Sequence, residues 1–225
     1  MNLRNIIFLF FFFWLLISVL TSTRDYYLIQ KIIYGGVLII FTPAAILFLK
    51  DEIEIINTKY RAWRGDMVAQ YKLGKRYATS EEINQDYEKA IKWLKKAANQ
   101  GYHKAQYSLG YMYINGRGVE KNYKKAAIWS RKAALQGNKF AQNILGKMYE
   151  TGEGMKIDYN KALKWYVKAA EQGLENAYFN LGCMYEKGYG VDEDYKEAVK
   201  WYKKAVENGY EKAKEKLNEI ETIID

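Results

Sequence analysis

The sequence predicts an all-α protein: a right-handed α-α solenoid of four 36-residue helical hairpins plus a capping helix, preceded by a transmembrane helical hairpin. Three observations carry this. The chain opens with two uncharged runs of 18 residues, 6–23 and 32–49, each long enough for a helix to cross a bilayer. From Ala69 onward an alanine returns every 36 residues, at Ala105, Ala141, Ala177 and Ala213, and a period of that length marks stacked repeats. Pro43 is the only proline, and Ala, Lys, Leu, Tyr and Glu abound, a composition that favours helix.

Residues 1–50 read as the membrane anchor, with helices over about 5–23 and 32–49 and lipid contact through residues 6–49. Ile6–Leu20 reads IIFLFFFFWLLISVL. In lipid a helix satisfies its own backbone groups, which overrides the β-branched content. Gly35, Gly36, Ala44 and Ala45 allow close helix approach, and Pro43 permits a kink. A second reading fits the first run: a cleaved signal peptide, with Arg4 in a short n-region, followed by one transmembrane helix. No A-x-A-like site follows, the nearest small residues being Thr21, Ser22 and Thr23. Arg4, Lys50, Lys59, Arg61 and Arg64 flank the runs, whereas the connector holds only Arg24 and Lys31. Either reading therefore places the repeats in the cytoplasm. Residues 51–65, with Ile53, Ile55, Ile56, Tyr60 and Trp63, are expected to form a helical linker that caps the first repeat.

The first fifty residues hold four of the 35 basic and one of the 26 acidic side chains. The remainder is only mildly basic, and no nucleic-acid partner is expected. One cysteine, Cys183, and one histidine, His103, exclude an internal disulfide and disfavour a zinc site. A lone cysteine also fits a compartment where disulfides are not used.

Four repeats are expected at 66–101, 102–137, 138–173 and 174–209, with a capping helix at 213–225. The leading alanine is followed by Leu73, Leu109, Leu145, Leu181 and Leu217, then by Gly74, Gly110, Gly146 and Gly182 with Asn218 in the fifth copy. Tyr77, Tyr113, Tyr149 and Tyr185 complete the apolar face of helix A at spacing 4 and 4. A loop follows, marked by Gly116-x-Gly118, Gly152-x-Gly154 and Gly188-x-Gly190. Helix B is expected to start after the N-cap residues Asp86, Asn122, Asp158 and Asp194. Its stripe is expected to bury Tyr87, Ala90, Trp93 and Ala97 and their counterparts, including Trp129, Trp165 and Trp201. Each unit closes on Gly101, Gly137, Gly173 or Gly209, where a left-handed residue ends a helix. The last helix is apolar on one side only, through Ala213, Leu217, Ile220 and Ile224, which suits the open end of a stack.

The pattern A-x3-L-G-x2-Y-x2-G-x-G-V-x3-D-Y-x2-A-x2-W-x3-A-A-x2-G resembles the Sel-one-like repeat, a relative of the tetratricopeptide repeat, over residues 66–212. The first unit departs from it with Ser80 and Glu82 in place of the loop glycines, and the second has Asn122 for the usual aspartate. Exported members of that family often carry a disulfide in each unit, so its absence here agrees with a cytoplasmic position. By the resemblance, helix-A residues two and six after the first alanine face a concave groove. These are Tyr71, Tyr107, Asn143 and Phe179, then Lys75, Tyr111, Lys147 and Cys183. The preceding position adds Val68, Lys104, Phe140 and Asn176. Tyr71, Lys75, Lys104, Tyr107, Tyr111, Phe140, Asn143, Lys147 and Phe179 are therefore the expected partner-binding residues. Aromatic rings give contact area, Asn bonds a peptide backbone and Lys meets a carboxylate.

No nucleotide-binding, metalloprotease or hydrolase motif occurs, and the G-x-G pairs are loop glycines. His103 reads as a surface residue, Cys183 as a small packing residue, and the lysines of helix B as a solvated outer face. No catalytic residue, metal or cofactor is expected. The function expected is a membrane-anchored scaffold or adaptor that binds a peptide or partner protein in the groove. The alternative is a regulatory or assembly subunit of a membrane complex whose transmembrane hairpin is the active part.

Overall fold

The computed structural model describes residues 43–79 and 85–224. Among the described residues there are ten helices and no strand: α1 (Pro43–Trp63), α2 (Met67–Thr79), α3 (Tyr87–Asn99), α4 (His103–Asn115), α5 (Tyr123–Leu135), α6 (Lys139–Thr151), α7 (Tyr159–Ala170), α8 (Glu175–Glu186), α9 (Tyr195–Glu207) and α10 (Ala213–Ile224). The chain divides into two compact units, Met1–Ile56 and Asn57–Asp225.

The described part of the first unit is the opening stretch of α1. The expected membrane helix over 5–23 lies outside the described residues, as does most of the one over 32–49. Among the described residues no helix is long and apolar enough to cross a membrane. The expected division between anchor and linker at Lys50 is not a helix boundary, because α1 continues through it to Trp63. The first repeat's loop, with Ser80 and Glu82, is also outside the described residues.

In the second unit α2, α4, α6, α8 and α10 are A helices, while α3, α5, α7 and α9 are B helices. From α2 to α10 each helix packs on the next in chain order. The B helices start where the sequence places them. Asp86, Asn122, Asp158 and Asp194 each accept a bond from the backbone N–H three residues on, filling a donor the helix leaves open. Their own N–H groups donate to the carbonyls of Tyr77, Tyr113, Tyr149 and Tyr185 at 2.9–3.0 Å. The tyrosine near the end of one helix is thereby tied to the cap of the next. The A–B loop returns over the preceding unit. At Gly154, φ is +77° and an added Cβ would lie 2.3 Å from the Tyr123 carbonyl oxygen, so no side chain fits there. The closing glycines are left-handed as expected, with φ of +84° at Gly137.

The framework alanines and leucines of helix A are buried through α8, and so are the framework alanines of helix B. The tryptophans depart from expectation. Trp93, Trp129, Trp165 and Trp201 are only half-buried, and the next residue holds the buried place: Leu94, Ser130, Tyr166 or Tyr202. That residue lies four after one stripe alanine, against the glycine of helix A. A Cβ on Gly146 would come within 2.7 Å of the Tyr166 ring, so the glycine is what admits the partner helix. Each tryptophan sits at the stripe's margin, covered by a lysine of its own helix. Lys96, Lys132, Lys168 and Lys204 lie 4.3–4.8 Å from the ring centroids, within cation–π range.

A second ladder is polar. Gln70, Gln106 and Gln142 are buried in helix A. Each donates Nε2 to a carbonyl of the preceding helix, at Ala62, Ala98 and Ala134, at 3.1–3.2 Å. Each accepts at Oε1 from a glutamine ending the following B helix, Gln100, Gln136 or Gln172, at 2.7 Å. Three consecutive helices are thus threaded by two carboxamides. The junction between α7 and α8 lacks the pair: Tyr178 stacks with Trp201 at 6.0 Å, and Asn208 bonds back to its own helix at Lys204.

The end of α1 takes the place of a B helix. Ala62 is buried with Ala69 and Leu73, Gly65 closes it with φ of +102°, and Gln70 bonds it as Gln106 bonds α3. The preceding turns carry Glu54, Asn57, Thr58 and Arg61 where later B helices have Ala90, Trp93, Leu94 and Ala97. Only the last turn of α1 keeps the repeat pattern. Asp66 caps α2 through the amides of Val68 and Ala69 and accepts from Arg61. At the other end, Ala213 and Ile220 of α10 are buried, Leu217 is half-buried, and Lys203 pairs with Glu221 at 3.0 Å.

Replacing buried Gln142 by leucine leaves the Ala134 carbonyl and the Gln172 carboxamide without their partner. The expected loss is about 1–3 kcal/mol in urea unfolding. Gln172→Leu, more exposed, costs less. In the double variant the losses are expected to be non-additive by about 0.5 kcal/mol or more; strict additivity would show that the two amides do not act together.

Candidate functional site

The expected groove residues fall on the A helices, and the structure gathers some of them while separating others. Tyr107 of α4 is the centre. Its ring lies 5.7 Å from Phe140 of α6 and 6.4 Å from Tyr111. Burial pushes its hydroxyl above the usual tyrosine value. Asn143, on the same helix as Phe140, accepts at 2.9 Å from Asn180 of the next A helix. Tyr107, Phe140 and Asn143 line a shallow open pocket of about 140 Å³ with Leu174, Glu175 and Asn176. Three consecutive units contribute to it. Tyr111 and Phe140 remain exposed, with the Arg117 guanidinium 5.6 Å from the Tyr111 ring and the Lys139 ammonium 5.6 Å from the Phe140 ring.

The remaining expected residues sit around this centre or outside it. Tyr71 meets Tyr102 edge-on at 5.2 Å, and burial raises its hydroxyl too. Lys75 and Lys104 are exposed. Lys147 pairs with Glu150 at 3.3 Å on its own helix. Phe179 is half-buried: its ring lies 5.4 Å from Tyr202 and 5.0 Å from Tyr210, packed against the core cluster of the last repeat. It thus serves packing there, because Tyr202 occupies the buried B-helix position opposite it.

Two further residues have a structural part. His103 is half-buried, and Asn138 donates to its Nδ1 at 3.1 Å while capping α6 through Ala141. It is a link between units where a surface residue was expected. Cys183 is half-buried with its Sγ 3.2 Å from the Tyr202 hydroxyl oxygen, whose one proton goes to Glu186. Leu174 and Glu175 were missed as lining residues, since neither belongs to the recurring set on helix A. The Tyr166–Glu150 and Tyr202–Glu186 hydrogen bonds were missed as well. Burial, then the facing carboxylate, raises the Tyr166 hydroxyl.

This arrangement supplies ring faces, two carboxamides and nearby cations on a surface crossing three units. That chemistry suits a polypeptide, whose backbone amides Asn143 and Asn176 can meet. Among the described residues no group of three or more His, Cys, Asp or Glu side chains is placed to hold a metal ion. Burial pushes the Cys183 thiol up, more than the nearby Tyr202 hydroxyl lowers it. Its alkylation by iodoacetamide at pH 7.5 is expected to be at least about tenfold slower than that of an unhindered thiol. Alkylation as fast as free cysteine would mark a reactive, accessible groove thiol.

The Sel1 repeat pattern matches residues 68–102, 103–138, 139–174 and 176–210, together more than half of the chain. Similar solved structures include the following two. One is a protective antigen present in uropathogenic Escherichia coli strains, displaying an SLR fold, at 43% identity and a TM-score of 0.66; the match covers 69% of this chain and 33% of that one. The other is a Sel1 repeat protein from Oxalobacter formigenes, at 37% identity and a TM-score of 0.64, covering 68% of this chain and 63% of that one. The chain thus spans about a third of the length of the first and under two thirds of the second. No curated protein matches it. Four matched units, the close backbone likeness and the recurring capped hairpins give one conclusion: the chain belongs to the Sel1 repeat family.

Proposed function

We propose that this chain is a scaffold, held at the cytoplasmic face of a membrane by its apolar N-terminal runs, whose repeats dock a polypeptide segment of another protein. Sel1 repeat proteins in general mediate protein–protein interaction. The observation that supports the docking reading best is the open pocket lined by Tyr107, Phe140, Asn143 and Asn176, which draws on three consecutive units. These are variable positions set on an invariant framework. The repeats hold the pocket rigid through buried glutamines, so little ordering cost falls on binding. The anchoring reading is supported by the two uncharged 18-residue runs, and the orientation by the basic residues flanking them.

A photo-reactive amino acid at Tyr107 or Tyr111 of the full chain, activated in native membranes, is expected to yield one discrete protein adduct. The same group at Lys125, on the outer face of α5, is expected to yield none. An adduct from Lys125 alone would contradict the groove. The same membranes washed with carbonate test anchoring: retention of the chain is expected, and release would remove the anchor from the account.

A further inference from the structure

The two most exposed large apolar side chains of the second unit share one place in the repeat, while others, such as Ile128 and Ile157, lie elsewhere. Trp63 is 75% exposed and Leu135 is 70% exposed. The two stand two repeat lengths apart, at the same place in the unit, just before the turn from a B helix to an A helix. Met67 and Val68, just after the first such turn, are exposed as well, and so is Phe140 after the third. All the B-to-A turns of a solenoid lie along one edge, so these residues form a discontinuous apolar lip. Phe140 joins that lip to the groove centre at Tyr107. A tryptophan left three-quarters exposed is costly in water and is typical of an interface anchor.

Two explanations compete for Trp63. One is the aromatic belt of a membrane, since the uncharged run 32–49 lies upstream. Recurrence decides against it. A belt would account for Trp63 alone, whereas Leu135 and Phe140, two repeats further along the same edge, are exposed too. The remaining explanation is a protein partner. Its charge can also be read. From Asn57 to Thr79 the only acidic residue is Asp66, and Arg61 holds it at 2.5 Å. Lys59, Arg64, Lys72 and Lys75 surround the lip's first half in exposed positions, and Lys104 continues them on the next unit.

We infer that the B-to-A edge is the entry part of the docking surface and takes an acidic amphipathic segment of a partner protein. The segment's apolar side chains cover Trp63, Met67, Leu135 and Phe140, and its carboxylates face the cations. This deepens the scaffold reading and rests on it.

The test uses the full chain in phosphatidylcholine nanodiscs and a fluorescein-labelled 20-residue probe. The probe carries leucines at helical spacing and glutamates elsewhere; a second peptide replaces every glutamate by lysine. Fluorescence anisotropy is expected to show the glutamate peptide binding at least tenfold tighter than the lysine peptide. Trp63→Ala is expected to weaken it at least tenfold and Leu135→Ala several-fold, with unchanged helical circular dichroism because both side chains are exposed. Ile157→Ala, equally apolar but in an A–B loop, is expected to have no effect. Equal binding of the two peptides, no binding of either, or an indifferent Trp63→Ala variant overturns the inference. Tyr107→Ala separates the two claims: if it weakens binding while Trp63→Ala does not, the groove stands and the lip falls. If Trp63→Ala alone weakens binding, the lip stands and the groove centre falls.

Discussion

A buried carboxamide must find partners for both of its ends, and this requirement sets how the units stack. Gln106 meets the Ala98 carbonyl behind it and the Gln136 amide ahead of it. Sliding one unit against the next by a residue would break both bonds and leave the buried Gln106 carboxamide without partners, at a cost of about 1–3 kcal/mol. Apolar packing alone is more forgiving, because alanine and leucine tolerate small shifts. The glycines of helix A bring the helices within reach, and the glutamines fix where along their length they meet. The same link fastens the last turn of α1 to the first unit, through Gln70 and Ala62.

With the framework fixed, the positions that change from unit to unit carry the differences in surface. Opposite the helix-A glycine stand Leu94, Ser130, Tyr166 and Tyr202 in turn. Where tyrosine stands there, its hydroxyl finds Glu150 or Glu186 on the paired A helix; where leucine or serine stands there, the matching positions are Ala78 and Ile114. The large rings at 166 and 202 change the space available on helix A. Phe179 packs on Tyr202 and is half-buried, whereas Phe140, at a different place on its own helix A, is exposed. The usable aromatic surface is therefore concentrated on the first three units, nearest the basic stretch around α1 and α2.

Much of this was legible in the sequence. The aspartate and asparagine caps, the closing glycines and the alanine–leucine face follow from local chemistry that acts the same way in any helix. The tryptophans misled because hydrophobicity was read as burial: a ring at the margin of the stripe can pack on one side and carry a lysine on the other. The glutamines were passed over because apolar periodicity does not register a buried polar residue. Their signal was present in the register itself. Glutamine occurs at both 70 and 100, at both 106 and 136, and at both 142 and 172, and is absent from both 178 and 208. Tyrosine and glutamate at 166 and 150, and at 202 and 186, vary together in the same way. The exposed state of Trp63 and Leu135 was not legible, since it depends on the B-to-A turns sharing one edge.

The most direct test of the stack is amide hydrogen exchange of the full chain under native conditions, read junction by junction. The account predicts strong and matched protection at the glutamine-linked junctions around residues 98–106 and 134–142. It predicts faster exchange around 170–178, where Tyr178 stands in place of the helix-A glutamine and Asn208 in place of its partner. Protection around 170–178 equal to or above that of the others would contradict the claim that the glutamines lock the repeats together.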